Sequence, residues 1–432
     1  MNIQIQKSEI HDLQSSISIT GSKSESNRLL LLQALFPNIE IDNLSNSDDS
    51  KVMTEALLTS SNVIDVHHAG TAMRFLTAYF ATQDGREVVL TGSDRMKQRP
   101  IKILVDALKS LGAEISYLES DGLPPLKITG KKLTKNKVTL QANVSSQYIS
   151  ALLLIAPKLE NGLELTLEGK ITSVPYINMT LNLLNQIGVK TDFQNNVVEV
   201  NQQSTTSPYR KGTFGRVNNQ KSLIESDWSS ASYFYSIVAL SAVGTEISLS
   251  SYKQNSLQGD SVLSEIYKDF GVETTFENNS ILLQKSTIVN QKPARTEKVG
   301  SGGSLISLDL SNAPDIAQTI AVTCFGLGIS CVLTGLHTLK IKETDRLFAL
   351  KTEIEKLGGQ VAITEDSLTL DSSNNIKSNI AIDTYNDHRM ALAFAPLALK
   401  TSIKINNAEV VSKSYPSFWE DLKSIGFQIK TD

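Results

Sequence analysis

Leu104-Val105-Asp106-Ala107-Leu108-Lys109-Ser110-Leu111-Gly112-Ala113-Glu114-Ile115 holds an amphipathic helix, a glycine stop and the start of a strand. Its apolar residues fall at helical spacing. The glycine follows the last of them, which suits a C′ residue in the left-handed conformation, where a side chain would be penalised. The same pattern returns at Leu181–Thr191 with Gly188, at Leu263–Thr274 with Gly271, at Thr352–Val361 with Gly358, and at Trp419–Ile429 with Gly426. A sixth version, Met53–Leu58 before Val63–Val66, lacks the glycine. Helix-Gly-strand punctuation occurs in any α/β chain. Five copies, each with an apolar residue before the glycine, point to a repeated supersecondary unit.

Further helices are expected at Asn27–Phe36, Thr71–Ala81, Gln147–Ala156, Ser230–Ala242, Asp315–Phe325 and His388–Leu399. Strands are expected at Glu87–Thr91, Lys137–Gln141, Leu163–Glu168, Val197–Val200, Glu246–Ser250, Ile281–Gln284, Ser307–Leu310, Ser330–Thr334, Leu368–Leu370 and Ile403–Ile405. Mixed elements of this kind make an α/β or α+β protein. The 432 residues exceed one ordinary core, so two domains or more are expected, with a boundary near the polar stretch 201–225. Gly300-Ser301-Gly302-Gly303-Ser304 reads as a hairpin or an ordered turn of no assigned function.

Composition narrows the classes. The chain is 40% hydrophobic and 20% charged, which is globular, and its net charge of −4 speaks against a nucleic-acid binder. Any anion site must come from local clusters of cations. Two cysteines, Cys324 and Cys331, lie in an apolar run and read as buried thiols of a reducing compartment. Five scattered histidines show no ligand spacing, so no metal and no cofactor is expected. The N-terminus alternates like a strand, with no signal-peptide core, and no apolar run reaches a membrane span. A cytoplasmic protein is expected.

Charged and hydroxylic turns recur where helices begin. Gly21-Ser22-Lys23-Ser24-Glu25-Ser26-Asn27-Arg28 runs into four leucines. Such a start offers free N–H groups and the positive end of a helix dipole to an anion. Others are His68-Ala69-Gly70-Thr71-Ala72-Met73-Arg74, Ser145-Ser146-Gln147-Tyr148, Ser173-Val174-Pro175 and the acid-capped Asp227-Trp228-Ser229-Ser230. Arg95-Met96-Lys97-Gln98-Arg99-Pro100 sets three cations before a helix whose early proline suits its first turn. Asn312-Ala313-Pro314-Asp315, Lys342-Glu343-Thr344-Asp345-Arg346, Asn386-Asp387-His388-Arg389 and Lys413 follow. Each alone is as well explained by a helix cap or a solvated charge. Their order and spacing carry more.

Together these turns resemble the EPSP synthase (3-phosphoshikimate 1-carboxyvinyltransferase) family of enolpyruvyl transferases. The most specific are Gly21-Ser22-Lys23-Ser24 with Asn27-Arg28, Arg95–Pro100, Lys342–Leu347 and Tyr385–Ala391. The resemblance implies two domains, each of three βαβαββ units in an inside-out α/β barrel. Residues 1–20 and 226–432 would form one, 21–225 the other, with the active site in the cleft between them. It implies transfer of the enolpyruvyl group of phosphoenolpyruvate to the 5-hydroxyl of shikimate 3-phosphate, in the route to chorismate and aromatic amino acids. Asp315 would take the hydroxyl proton and Glu343 would protonate the enol carbon, with Lys23 close by. Lys23, Ser24, Arg28, Ser145, Ser146, Ser173, Asp315 and Lys342 would bind shikimate 3-phosphate. Lys23, Gly70, Arg99, Gln147, Arg346, Arg389 and Lys413 would bind phosphoenolpyruvate. Both partners are small anions, and no nucleic acid, membrane or second subunit is implied.

The sequence departs from the family pattern at His68, Phe75 and Thr338, the last where many members have a substrate-contacting asparagine, and its segment Thr59–His67 is shorter than in many relatives. His68 stands where asparagine is usual, and Phe75 where many members have proline. Both bear on sensitivity to glyphosate, an inhibitor of the family. The related transferase acting on UDP-N-acetylglucosamine is the nearest alternative, but its reactive loop cysteine has no counterpart here. A non-catalytic anion-binding relative would be expected to have lost Asp315 or Glu343, and both are present. Gly21-Ser22-Lys23-Ser24 lacks the preceding glycine of a nucleotide-binding P-loop.

Overall fold

The glycine that closes each copy takes the backbone conformation expected of it. Gly112, Gly188, Gly271, Gly358 and Gly426 have φ of 107°, 86°, 74°, 103° and 101°. After four of them the next N–H reaches five residues back, to the carbonyls of Leu108, Leu184, Ile354 and Leu422, the longer bond of a Schellman turn. The sixth version, without glycine, leaves its helix Asp48–Leu58 through an extended Thr59. A computed structural model describes residues 1–8, 14–142, 145–169, 171, 173–202, 220–287, 296–299, 303–373 and 375–431. Gly300, Ser301 and Gly302 lie outside the described residues, while Gly303 and Ser304 open the strand Gly303–Asp309.

The chain divides into two units, Met1–Gly21 with Glu225–Asp432, and Ser22–Ile224. One strand order recurs through both. Val63–Asp65 runs parallel to Glu87–Thr91, which is antiparallel to Leu126–Thr129, whose far edge takes Glu114–Tyr117. The parallel pair is joined across the helix Gly70–Ala81, since parallel neighbours need a crossover. The antiparallel strands follow the helix Lys102–Ser110. In chain order this is βαβαββ, with the last strand inserted second from the edge. The same order holds for Lys137–Gln141, Leu163–Glu168, Val197–Val200 and Thr191–Gln194 in that unit.

The other unit repeats it three times. Gln14–Ile17, Glu246–Ser250, Ser280–Lys285 and Val272–Glu277 form one sheet. Gly303–Asp309, Ser330–Thr334, Leu368–Leu370 and Val361–Ile363 form a second, with Thr296–Val299 added at the edge. In the third, Ile380–Ile382 and Ile403–Ile405 are followed by the N-terminal strand Ile3–Ile5 and then Ile429–Thr431.

Each unit is built with helices inside. In the first, Trp228–Leu240, Ala317–Leu327 and His388–Phe394 pack on one another and are buried along nearly their whole length. Buried hydroxyls tie them: Ser232 meets Thr319 at 3.0 Å, and Thr323 donates to Ser236 at 2.8 Å. In the second, Lys23–Leu35, Gly70–Ala81 and Ser146–Ile155 do the same. Strands alternate buried and more exposed positions, as one-sided sheets do. Cys324 and Cys331 are buried and free. Among the described residues no helix is long and apolar enough to cross a membrane.

One local expectation is corrected. Pro100 does not lie in the first turn of a helix. It precedes Ile101, the N-cap of Lys102–Ser110, while Arg95 and Lys97 belong to a short helix Asp94–Lys97 capped by Ser93. The proline's missing N–H therefore ends the Arg95–Arg99 turn rather than starting the next helix.

Candidate active site

The charged groups sit where helices begin, on both the first and the second helix of the repeat. In the unit Ser22–Ile224, Ser22 caps Lys23–Leu35 by accepting from Glu25 N at 3.4 Å, which leaves Lys23 and Ser24 in the first turn. Lys23 Nζ lies 3.5 Å from a carboxylate oxygen of Asp49, itself nearly buried. Ser145 caps Ser146–Ile155, accepting from Gln147 N at 3.3 Å, and Gln147 Nε2 donates to Thr71 Oγ1 at 3.1 Å. Ser146 is half-buried beside them. Ser173 starts Val174–Gln186 in a left-handed conformation, φ 55°, with no capping bond from its side chain.

Arg99 lies against Gly70. A Cβ built on that glycine would collide with Arg99 Nη1 and sit 3.0 Å from Cζ. Arg99 is 8% exposed, and its buried Nε has no hydrogen-bond partner among the described residues. A buried guanidinium nitrogen without an acceptor is costly, so the arrangement is suited to an incoming anion.

Arg28 is placed differently. Its Nε donates to Thr180 at 2.8 Å, Nη1 to the Ser24 carbonyl at 2.8 Å, and Nη2 to Ser150 at 2.9 Å and the Tyr176 carbonyl at 3.5 Å. Burial lowers its pKa to about 10. Its guanidinium lies 5.4 Å from the ring centroid of Phe75, which is wholly buried. These bonds tie the helices Lys23–Leu35, Ser146–Ile155 and Val174–Gln186 together beneath Ser24. His68, two residues before Gly70, is half-exposed.

In the unit Met1–Gly21 with Glu225–Asp432, five of the expected residues form one ion network. Arg346, 2% exposed, donates Nη1 to Asp315 at 3.0 Å, Nη2 to Glu343 at 2.8 Å and Nε to Asp387 at 2.6 Å. Lys342 Nζ is 3.6 Å from Asp315. Arg389 Nη1 donates to the Asp315 carbonyl at 3.0 Å, and Nη2 lies 3.3 Å from Asp315 Oδ2. Lys413 Nζ donates to the Asn386 carbonyl at 2.6 Å, at the foot of the same helix start.

Burial by itself would raise the Asp315 pKa. Arg389, Lys342 and Arg346 outweigh it and hold the carboxyl well below the usual carboxylate range. Burial pulls Lys342 downward, with Asp315 opposing. Arg346 is desolvated too, yet Asp387, Glu343 and Asp315 raise it and keep it charged.

A sequence model described as EPSP synthase (3-phosphoshikimate 1-carboxyvinyltransferase) matches residues 55–422. The chain belongs to the EPSP synthase family. A 3-phosphoshikimate 1-carboxyvinyltransferase of Bacteroides fragilis is 44% identical over 422 residues, covering 97% of each chain. That of Vibrio campbellii is 33% identical over 447 residues, covering 96% of this chain and 98% of its own. The EPSP synthase structure from Acinetobacter baumannii matches the fold with a TM-score of 0.75 at 21% identity, covering 100% of both chains.

Sequence reasoning gave no site role to four partners of the site residues of this EPSP synthase family member. Asp387 caps His388–Phe394, accepting from Arg389 N at 2.9 Å, and also holds Arg346. Its place in Asn386-Asp387-His388-Arg389 was the available signal. Ser229, in the acid-capped helix start Asp227–Ser230, and Asp260 stand beside Arg389, and Asp49 faces Lys23; no local pattern marks Asp49 or Asp260.

Proposed function

We propose that both groups of residues serve one pair of anionic substrates, shikimate 3-phosphate and phosphoenolpyruvate. The reaction is enolpyruvyl transfer. The 5-hydroxyl oxygen adds to carbon 2 of phosphoenolpyruvate as carbon 3 gains a proton. Carbon 3 then loses a proton, the carbon–oxygen bond to phosphate breaks, and 5-enolpyruvylshikimate 3-phosphate and phosphate remain.

The observation that carries this reading is Asp315 and Glu343 held on a single buried arginine, with Lys342 and Arg389 around them. Acid/base chemistry needs two groups with separable roles, beside cations that stabilise phosphate. The cations hold Asp315 ionised, as a base must be. Phosphate and carboxylate groups arriving at Arg389, Lys342 and Arg346 would offset those charges. The Asp315 pKa then rises toward a value at which it can take the hydroxyl proton. The bound anions offset Arg346 as well, so Glu343, on its other arm, can take up a proton and pass it to carbon 3, with Lys23 neutralising charge.

Lys23, Ser24, Arg28, Ser145, Ser146, Ser173, Asp315 and Lys342 are assigned to shikimate 3-phosphate on this reading. Lys23, Gly70, Arg99, Gln147, Arg346, Arg389 and Lys413 are assigned to phosphoenolpyruvate. The enzyme is read as a cytoplasmic monomer that needs no cofactor, which light scattering and activity after exhaustive chelation check.

Phosphate release from phosphoenolpyruvate is expected only when shikimate 3-phosphate is present. Release with UDP-N-acetylglucosamine instead would overturn the substrate, and release with neither would overturn the activity. Asp315→Asn is expected to lower kcat by about a hundredfold to ten-thousandfold, the range for losing a general base. A kcat within a few-fold of wild type would remove Asp315 from that role.

A further inference from the structure

Asp260 is 4% exposed, in the turn Gly259–Val262, and no step above uses it. The turn is fixed to the start of the helix Trp228–Leu240 by Gln258. Its Oε1 accepts from Trp228 N at 2.9 Å, and its Nε2 donates to the Ser226 carbonyl at 2.9 Å. Ser229, in the first turn of that helix, donates its hydroxyl to Asp260 Oδ2. Ser229 Oγ in turn accepts from Arg389 Nη2 at 3.3 Å. A serine hydroxyl has one proton. With that proton committed to Asp260, its oxygen can only accept from Arg389, so the carboxylate fixes the direction of the whole chain of bonds. Arg389 is thereby held from two sides, by Asp315 directly and by Asp260 through Ser229.

We propose that Asp260 is a positioning residue for the reaction, acting through Ser229 to hold Arg389 between Asp315 and phosphoenolpyruvate. The proposal rests on the assignment of Arg389 to phosphoenolpyruvate made above. A carboxylate is an expensive means of anchoring one serine in a core. Asp260 Oδ1 is buried with no hydrogen-bond partner among the described residues, a cost that packing alone does not explain. The position also matches the repeat. Asp260 precedes the second helix of its unit, Leu263–Ile266, as Arg99 precedes Lys102–Ser110 and Ser173 precedes Val174–Gln186.

The charge of Asp260 supplies a readout that a structural role would not move. Burial, then Asp315, pushes its pKa up to about 7; Arg389 and Ser229 oppose, and Asp227 adds to the rise. An anion bound at Arg389 raises it further. Binding of phosphoenolpyruvate therefore takes up a proton at this group and weakens as pH rises through neutrality.

The test is steady-state kinetics of the full chain, with both substrates varied from about pH 6 to about pH 8.5, across that titration. Wild type is compared with D260A, D260N, S229A and R389K. D260A and S229A are expected to raise the KM for phosphoenolpyruvate about tenfold or more, the usual loss for one hydrogen bond to a charged group. The KM for shikimate 3-phosphate should move far less. D260N keeps an acceptor for Ser229 and loses the charge, so its KM for phosphoenolpyruvate should rise less steeply with pH than that of wild type. If D260A does not fold, S229A and D260N carry the same test. Unchanged KM values in D260A and S229A, beside a raised one in R389K, would overturn the proposal. So would a raised KM in D260A with the wild-type pH profile in D260N, which would reduce Asp260 to packing. An unchanged KM in R389K would instead remove Arg389 from phosphoenolpyruvate, and the proposal would fall with that assignment.

Discussion

Arg346→Ala is expected to abolish turnover and to weaken the fold in the same variant. Arg346 is the cation shared by Asp315, Glu343 and Asp387, and Asp387 is wholly buried. Removing it takes the guanidinium from the buried Asp387 and from Glu343, while Asp315 keeps Arg389 and Lys342. Breaking a buried ion pair from one side costs roughly 3–5 kcal/mol. The pH dependence gives the sign. In wild type the Asp315 pKa is depressed, so its contribution to stability is present above the ordinary aspartate value and is lost as pH falls toward the folded value. In the variant Asp315 has lost one of its three cations, so the depression lessens and part of that contribution is gone; the deficit should therefore be larger at about pH 6 than at about pH 4. Urea unfolding at both pH values checks this. A deficit that is equal at the two, or absent, would show that Arg346 is not the counter-ion of the cluster. Arg346→Lys should rescue little, because an ammonium cannot reproduce a fork that reaches three carboxylates.

The two roles of Asp387 show where sequence reading stops. An aspartate before a helix reads as an N-cap, and it is one. That it also holds Arg346 depends on a partner 41 residues away, and nothing local encodes that contact. Arg28 makes the same point from the other side. Next to Lys23 and Ser24 it reads as one more cation for an anion. Its acceptors Ser150 and Thr180 lie 122 and 152 residues on, and nothing local shows that they fix where it stands. By contrast, the five closing glycines are legible because a positive φ is a local demand that the residue type alone can meet. The strand Ile3–Ile5 alternates as strands do, so its existence is readable. Its seat between Ile403–Ile405 and Ile429–Thr431 is not, since that pairing is set by closure of the whole unit.

Gly70→Ala is expected to cost phosphoenolpyruvate binding while leaving the fold nearly intact. The added methyl would strike Arg99 Nη1 and sit 3.0 and 3.1 Å from Cζ and Nη2. These atoms are the far end of a flexible side chain, so the collision is relieved by swinging the guanidinium away, not by moving backbone. Gly70 also begins the helix Gly70–Ala81, where alanine is the better helix former. Stability should therefore change by less than about 1 kcal/mol, the scale of that propensity difference. Binding should suffer more. A displaced guanidinium no longer grips the ligand with two parallel bonds, and a charged contact in a desolvated site is worth about 2–5 kcal/mol. The KM for phosphoenolpyruvate should rise by about thirtyfold or more on that scale. The KM for shikimate 3-phosphate should stay near wild type, because the three atoms nearest the new methyl all belong to Arg99, which is not among its assigned residues. Arg99→Ala separates the steric from the electrostatic part. If Arg99 is the phosphoenolpyruvate ligand, combining it with Gly70→Ala should add little to its own loss, since the methyl then has no guanidinium to displace. Independent, additive losses would mean that the methyl acts on the ligand or the helix start itself, and that Arg99 is not the group through which Gly70 works.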